Sequence, residues 1–166
     1  LCDTFHLPVL NLVDNPGFLI GRKAEEEGTV RLGSRALMAC YQASIPWVSV
    51  IVRRCYGVAG AGHGNADRLN LRYAWPSADW GSLPIEGGVQ AAYRRDIESA
   101  DDPAARRREL EDMLEQYRSP LRTAEAFGIE EIIDPRDTRP LLGEWIEQAY
   151  ELLPSQLGPK SRTPRP

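Results

Sequence analysis

Trp47-Val48-Ser49-Val50-Ile51-Val52-Arg53-Arg54-Cys55-Tyr56-Gly57-Val58-Ala59 is the stretch whose reading decides the fold. Its opening run is short, apolar and rich in β-branched residues, so it reads as a buried strand rather than a helix. The strand ends at Cys55-Tyr56, and Gly57, Gly60, Gly62 and Gly64 follow within one short segment. Glycine at that density lets backbone approach a ligand or another chain closely.

Upstream, Val9-Leu10-Asn11-Leu12-Val13 is a second run of the same kind, also read as a buried strand, and Asp14-Asn15-Pro16-Gly17 after it is turn chemistry. Val30, Gly33, Leu37, Cys40 and Tyr41 then recur at helical spacing as far as Ser44. Ile45-Pro46 stops this helix and the second strand follows at once, so the two strands can lie parallel with the helix as their crossover. The expected class is α/β.

Downstream, Asn70 to Trp75 and Ala78 to Leu83 read as two short strands broken at Pro76. Pro84 and Glu86 fall in the first turn of a helix through Val89 and Tyr93, where Gly87-Gly88 weakens the helix but permits tight packing. Asp102-Pro103 caps and opens a helix with Leu110, Met113, Leu114 and Tyr117 on one face. Thr123 to Phe127 is a short helix and Glu131-Ile132-Ile133 a short strand. Asp137 or Thr138 caps a last helix whose period runs through Leu141, Leu142, Trp145, Ile146, Ala149 and Leu153. Residues 154–166 change to Pro, Ser, Gly and basic side chains, a tail expected to be disordered or to lie on a partner.

Composition narrows the function classes. With 166 residues the chain holds one core plus trimmings. A net charge of -4 lacks the basic excess that a nucleic-acid partner would demand. The longest apolar runs fall far short of a bilayer-spanning helix, and no leader opens the chain, so a cytoplasmic protein without a membrane partner is expected. Cys2, Cys40 and Cys55 are odd in number and unpaired in spacing, and with only His6 and His63 beside them no metal cluster assembles. The chain opens at Leu1 inside what reads as a continuing element, so it is expected to be the later part of a longer polypeptide.

Candidate chemistry centres on the glycines. Gly60-Ala61-Gly62-His63-Gly64 superficially matches a dinucleotide loop, but Asn65 stands where the third glycine belongs. What survives is a strand end whose successive N–H groups, at Val58 and Ala59, could face a developing negative oxygen. The competing explanation is a tight turn at a packing interface. His63 could act as acid or base or simply hydrogen-bond a loop. His6 reads as structural, and Cys55, with no base nearby in sequence, as a small buried side chain. Asp101-Asp102 is explained by helix capping, and Arg94-Arg95 and Arg106-Arg107-Arg108, each with acidic neighbours, by solvated faces. Lys160, Arg162 and Arg165 could hold an anionic cofactor but more simply keep the tail soluble.

Four segments in order carry a resemblance: Asp14 to Gly21, Ile45 to Ala59, Ala74 to Ala78, and Ile132 to Pro140. Together they resemble the carboxyltransferase (beta) subunit of biotin-dependent acyl-CoA carboxylases of the propionyl-CoA and acetyl-CoA type, over nearly the whole chain. The resemblance implies a crotonase-like (ClpP/crotonase) fold of repeated ββα units, with residues 1–153 as the C-terminal carboxyltransferase domain. It implies carboxyl transfer from carboxybiotin to the α-carbon of an acyl-CoA, this chain supplying the biotin side.

By the same resemblance, the backbone amides of Val58 and Ala59 form the oxyanion hole, and Gly57, Val58, Ala59 and Gly60 make up the biotin site. Gly17, Phe18, Ala61, Gly87 and Gly88 are weaker candidates beside the substrate. Implied partners are a biotin carboxylase, a biotin carboxyl carrier subunit, and the protein's own N-terminal domain or a second carboxyltransferase subunit, within a hexamer. Val58 departs from the family by replacing its second glycine, and the small Ala61 is the nearest match to the family side chain just after the turn that helps choose acyl size, which leaves acyl preference open. Two alternatives remain: another crotonase-type acyl-CoA enzyme (a biotin-linked decarboxylase, or a hydratase with His63 or Glu86 as base), and a noncatalytic oligomerisation half.

Overall fold

A computed structural model describes residues 1–62, 69–82, 84–126 and 128–157. Its organising element is the strand read first from the sequence, here β2 (Trp47–Tyr56), which is flanked on both edges. β1 (Val9–Asn15) runs parallel along one edge, with Val9 opposite Trp47 and Val13 opposite Ile51. Along the other edge lie β3 (Asn70–Ala74), opposite Trp47 to Ile51, and then β4 (Asp79–Gly81), opposite Arg54 to Tyr56. The break expected at Pro76 is therefore real. β5 (Glu131–Ile132) extends the sheet beyond β3, and every pairing is parallel.

Both faces of β2 are covered. Ile51 and Cys55 join Val13, Ala74, Ala78 and Ile129 in one core. On the opposite face Val48 packs with Trp145 and Ala149 of the last helix, α8 (Thr138–Gln156). β3, β4 and α4 (Ile85–Ala92) follow one another as a ββα unit. A third cluster joins Ile85 and Val89 of α4 to Ile97 of α5 (Arg94–Ser99) and Leu110 of α6 (Pro103–Glu115).

The helix starts follow their capping chemistry. Asp102 Oδ1 accepts from the Ala104 and Ala105 amides at 3.0 and 3.0 Å, opening α6 as expected. The arginine runs are paired on the surface: Arg94 with Glu98, Arg106 with Asp96 and Glu109, Arg107 with Glu111. α7 (Pro120–Glu125) begins earlier than expected because Ser119 accepts from the Leu121 amide and Pro120 fills the first helical position; Phe127 lies outside the described residues. Neither Asp137 nor Thr138 caps α8 through its side chain. Asp134 instead accepts from Arg136 N, fixing a 3-10 turn, Pro135–Asp137, that leads into the helix.

Four expectations are corrected. β1 is an edge strand, so of its apolar residues only Val13 is deeply buried, while Leu10 and Leu12 stay exposed. In α2 (Thr29–Gln42), the crossover helix that follows α1 (Arg22–Glu26), no residue is deeply buried; Gly33 meets the Phe18 ring and Leu37 meets Gly62, while Val30 and Tyr41 face outward. On α6, Leu110 and Leu114 enter the third cluster but Met113 does not, and Tyr117, exposed, lies beyond the end of the helix. Finally, α8 continues past Pro154 to Gln156. Pro154 lies in the last turn, where its missing N–H forfeits only a bond near the helix end, and Leu153 is buried. Oriented to suit both neighbours, the Gln156 amide donates to the Ser44 carbonyl at 3.1 Å and accepts from the Leu69 N–H at 3.3 Å. Lys160, Arg162 and Arg165 lie outside the described residues.

The glycines after β2 have a steric role within the chain. β2 passes directly into α3 (Gly57–Ala61), a single helical turn folded back on the strand that precedes it. A Cβ on Gly60 would sit 2.6 Å from the Cys55 carbonyl carbon, and one on Gly62 would sit 2.0 Å from the Leu37 Cδ2. Gly60→Ala is therefore expected to destabilise the protein by about 1–3 kcal/mol through overpacking against backbone. A thermal melt that leaves the midpoint unchanged would show that α3 does not rest on β2.

Candidate active site

The C-terminal ends of β1 and β2 meet at the turn that opens α3. Gly57 takes φ 60°, a left-handed conformation that other residues adopt only with strain, and a Cβ there would lie 3.2 Å from the Ser82 carbonyl oxygen. The residue before α3 is Tyr56, whose side chain caps none of its amides. Val58 and Ala59 thus begin a helical turn without a side-chain acceptor at its start. Val58 is exposed and Ala59 buried. For Ala61 the backbone alone is described, as the last residue of α3.

Gly17 joins this turn. It takes φ 100° with its N–H donating to Asn15 Oδ1 at 3.0 Å, and a Cβ added there would lie 3.7 Å from the Tyr56 carbonyl oxygen. Phe18 leans away, its ring against Gly33 of α2. Gly87 and Gly88 lie in α4, which packs on α5 and α6. Gly87 takes φ 80° with nothing within 4 Å of a Cβ position, so its glycine answers a backbone conformation and not the tight packing expected of it. Glu86 falls in the first turn of α4, and His63 lies outside the described residues.

Sequence reasoning missed the polar frame around the turn. Asp14 accepts from the Arg54 backbone N–H at 3.2 Å and from its Nε at 2.8 Å, and the Arg54 guanidinium holds the Asp14 carboxyl below its ordinary range. Arg118 clasps Asp79 with Nε at 2.7 Å from Oδ1 and Nη2 at 2.5 Å from Oδ2, and reaches Glu115 at 2.9 Å. Burial pushes the Asp79 carboxyl up, but the bonds from Arg118 and Tyr56 outweigh it and the net direction is down. The Arg118 carbonyl also accepts from Trp80 N at 3.0 Å. One residue thus fixes β4 beside the turn. Arg118 and Asp79 are 39 positions apart in sequence, and no local spacing signals such a pair.

Cys55 is buried, its Sγ 3.5 Å from the Gly60 carbonyl oxygen. Burial pushes its thiol up to about 11, against the opposing charge of Arg72. It is a packing residue, as its sequence context suggested.

Comparison with known proteins decides the family. Residues 1–153 match the model of the carboxyl transferase domain. The chain belongs to the carboxyl transferase domain family. It is 40% identical over 143 residues to the propionyl-CoA carboxylase carboxyltransferase subunit of Haloferax mediterranei, covering 83% of this chain and 27% of that protein. It is 36% identical over 148 residues to the methylmalonyl-CoA carboxyltransferase 12S subunit of Propionibacterium freudenreichii subsp. shermanii, covering 88% of this chain and 28% of that one. This carboxyl transferase domain therefore spans little more than a quarter of the length of these relatives. It also superposes on the crystal structure of transcarboxylase 12S, a hexamer with methylmalonyl-coenzyme A and methylmalonic acid bound. The TM-score is 0.74 at 32% identity, covering 99% of this chain and 31% of that one. The fold is crotonase-like, as the resemblance implied.

Two outcomes follow for this frame. Asp79→Asn removes the acceptor charge from Arg118 and is expected to cost about 2 kcal/mol at neutral pH. Because the folded carboxyl lies below the ordinary value near ~3.9, this stabilisation is present above that pH and is lost as pH falls through the folded value. Acid unfolding of wild type and variant should therefore converge at low pH, and a constant gap would break the link to this carboxylate. In alkylation at pH 8, the partly exposed Cys2 and Cys40 should be modified well before Cys55. Equal rates at all three would mean that α3 does not cover Cys55.

Proposed function

We propose that this domain supplies the biotin side of a carboxyl-transfer site acting on an acyl-CoA, with the backbone amides of Val58 and Ala59 as its oxyanion hole. The observation that carries this reading is the turn itself. Gly57 in a left-handed conformation starts a helical turn whose first amides have no side-chain cap, at the C-terminal end of the central strand. Two successive N–H groups without a side-chain cap, next to an exposed surface at Val58, suit a small neutral ring carrying a carbonyl oxygen that gains negative charge. Biotin, delivered on a carrier, would supply the carboxyl group there and afterwards accept the α-proton of the thioester.

The part played by these residues is electrostatic. Donors fixed before the reaction stabilise charge as it develops without reorganising, at roughly 3 kcal/mol each. Gly57 sets the direction of the donors, Gly60 lets the turn sit on Cys55, and Gly17 lies against Tyr56 at its base. No acidic or basic side chain of this domain need touch the proton. The names of the relatives support acyl-CoA as the class of substrate, and the hexamer reported for transcarboxylase 12S supports a shared assembly. In that arrangement the thioester is gripped by another carboxyltransferase domain, and the carrier is loaded by a biotin carboxylase.

Ala59→Pro removes one of the two donors within the first turn, where proline is tolerated. Carboxyl transfer is expected to fall about 100-fold or more while secondary structure and oligomeric state persist. Transfer that continues at the wild-type rate with the turn in place would eliminate the oxyanion assignment. His63→Ala tests the competing reading, a hydratase with a side-chain base: activity should be nearly unchanged, and its abolition would favour that alternative.

A further inference from the structure

Behind the turn lies a cavity of about 370 Å³, bounded by Gly57, Gly60, Cys55, Trp80, Tyr117 and Arg72. Arg72 reaches it because β3 alternates. Opposite Ser49 of β2, it shares the strand face of Ala74, the face that carries the core of Ile51 and Cys55. Its main chain is fully engaged, the N–H donating to the Glu130 carboxylate and the carbonyl accepting from Glu130 N at 2.8 Å. Its guanidinium is not. Nε is shielded from solvent and meets no protein acceptor, and among the described residues no carboxylate pairs with it.

Leaving the shielded Nε of a cation without an acceptor is costly, and neither ionisable neighbour pairs with it: the Glu130 carboxylate accepts from Arg72's own N–H, and the buried Cys55 thiol, pushed up to about 11, stays protonated at neutral pH. The remaining walls combine backbone at Gly57, Gly60 and Gly81 with the side chains of Ile51, Trp80 and Tyr117, the last half-exposed with its ring under the Arg122 guanidinium at 5.7 Å. Among the described lining residues Arg72 is the one charged side chain, and a single guanidinium beside two aromatic rings matches a single carboxylate on a short carbon body. A phosphate dianion would need more donors than the chamber offers.

We propose that this cavity is a carboxylate subsite with Arg72 as its counterion, and that it receives the end of an acyl thioester whose acyl group carries its own terminal carboxylate. The identification of the occupant as an acyl group rests on the carboxyl-transfer reading above; the charge argument does not. Arg72 then determines specificity, favouring carboxylate-ended acyl groups over methyl-ended ones of equal length.

The test is calorimetric titration of the full-length protein with glutaryl-CoA and valeryl-CoA, which match in chain length and differ in the terminal charge. Glutaryl-CoA is expected to bind at least tenfold tighter. Arg72→Gln should erase the preference while holding valeryl-CoA affinity within twofold, and Arg72→Lys should restore part of it. That rescue separates lost charge from lost folding. Equal binding of the two thioesters by the wild type, or a preference that survives in Arg72→Gln, overturns the proposal. So does Arg72-dependent binding of free glutarate that leaves the thioester preference absent, because the occupant is then a free carboxylate. Since binding needs no turnover, an Arg72-dependent preference in a protein that transfers no carboxyl group would sink the proposed function and leave the subsite standing.

Discussion

Everything in this domain depends on burying Trp47–Tyr56 on two faces and two edges at once. A strand so enclosed must have most of its polar backbone paired, and β1 serves one edge while β3 serves Trp47 to Ile51 and β4 serves Arg54 to Tyr56 on the other. It can end only where the chain can leave the sheet without stranding those groups. Gly57 provides that exit by turning left-handed, and α3 folds back on the strand it has just left. The uncapped amides at Val58 and Ala59 are the by-product of this geometry. A fold-imposed helix start lies where an oxygen anion could use it.

Much of this was legible in the sequence. Valine-rich runs bounded by glycine turns gave both long strands, Ile45-Pro46 marked the end of the crossover helix, and Pro76 marked the gap between β3 and β4. What could not be read locally was which side chains meet across the sheet. Exposure of Leu10 and Leu12 depends on β1 lying at an edge, which its own composition does not reveal. The Arg118–Asp79 pair joins segments brought together only by folding. Arg72 left a faint trace: two residues before buried Ala74 in a short strand, it must point the same way, and period-two reading of Asn70 to Ala74 would have found a cation facing the core.

The glycines show how one sequence signal can carry several meanings. Gly57 and Gly87 use backbone freedom, whereas Gly60 and Gly62 yield space to Cys55 and Leu37. A dense glycine segment suggested approach to a ligand, yet most of the closeness is to the domain's own strand and helix. The part proposed to face a ligand is a few atoms at its beginning, a choice that rests on the motifs in register across the chain rather than on glycine density.

Gln156 gives the architecture a polarity. Its amide links the Ser44 carbonyl, just before β2, to the Leu69 N–H, just before β3, at the end of the sheet opposite the turn. The sheet is thus laced at its base by the last turn of α8, leaving the rim to be shaped by short loops. A shift of the rim need not propagate into strand register, so the loops there can change while the platform beneath them stays in place.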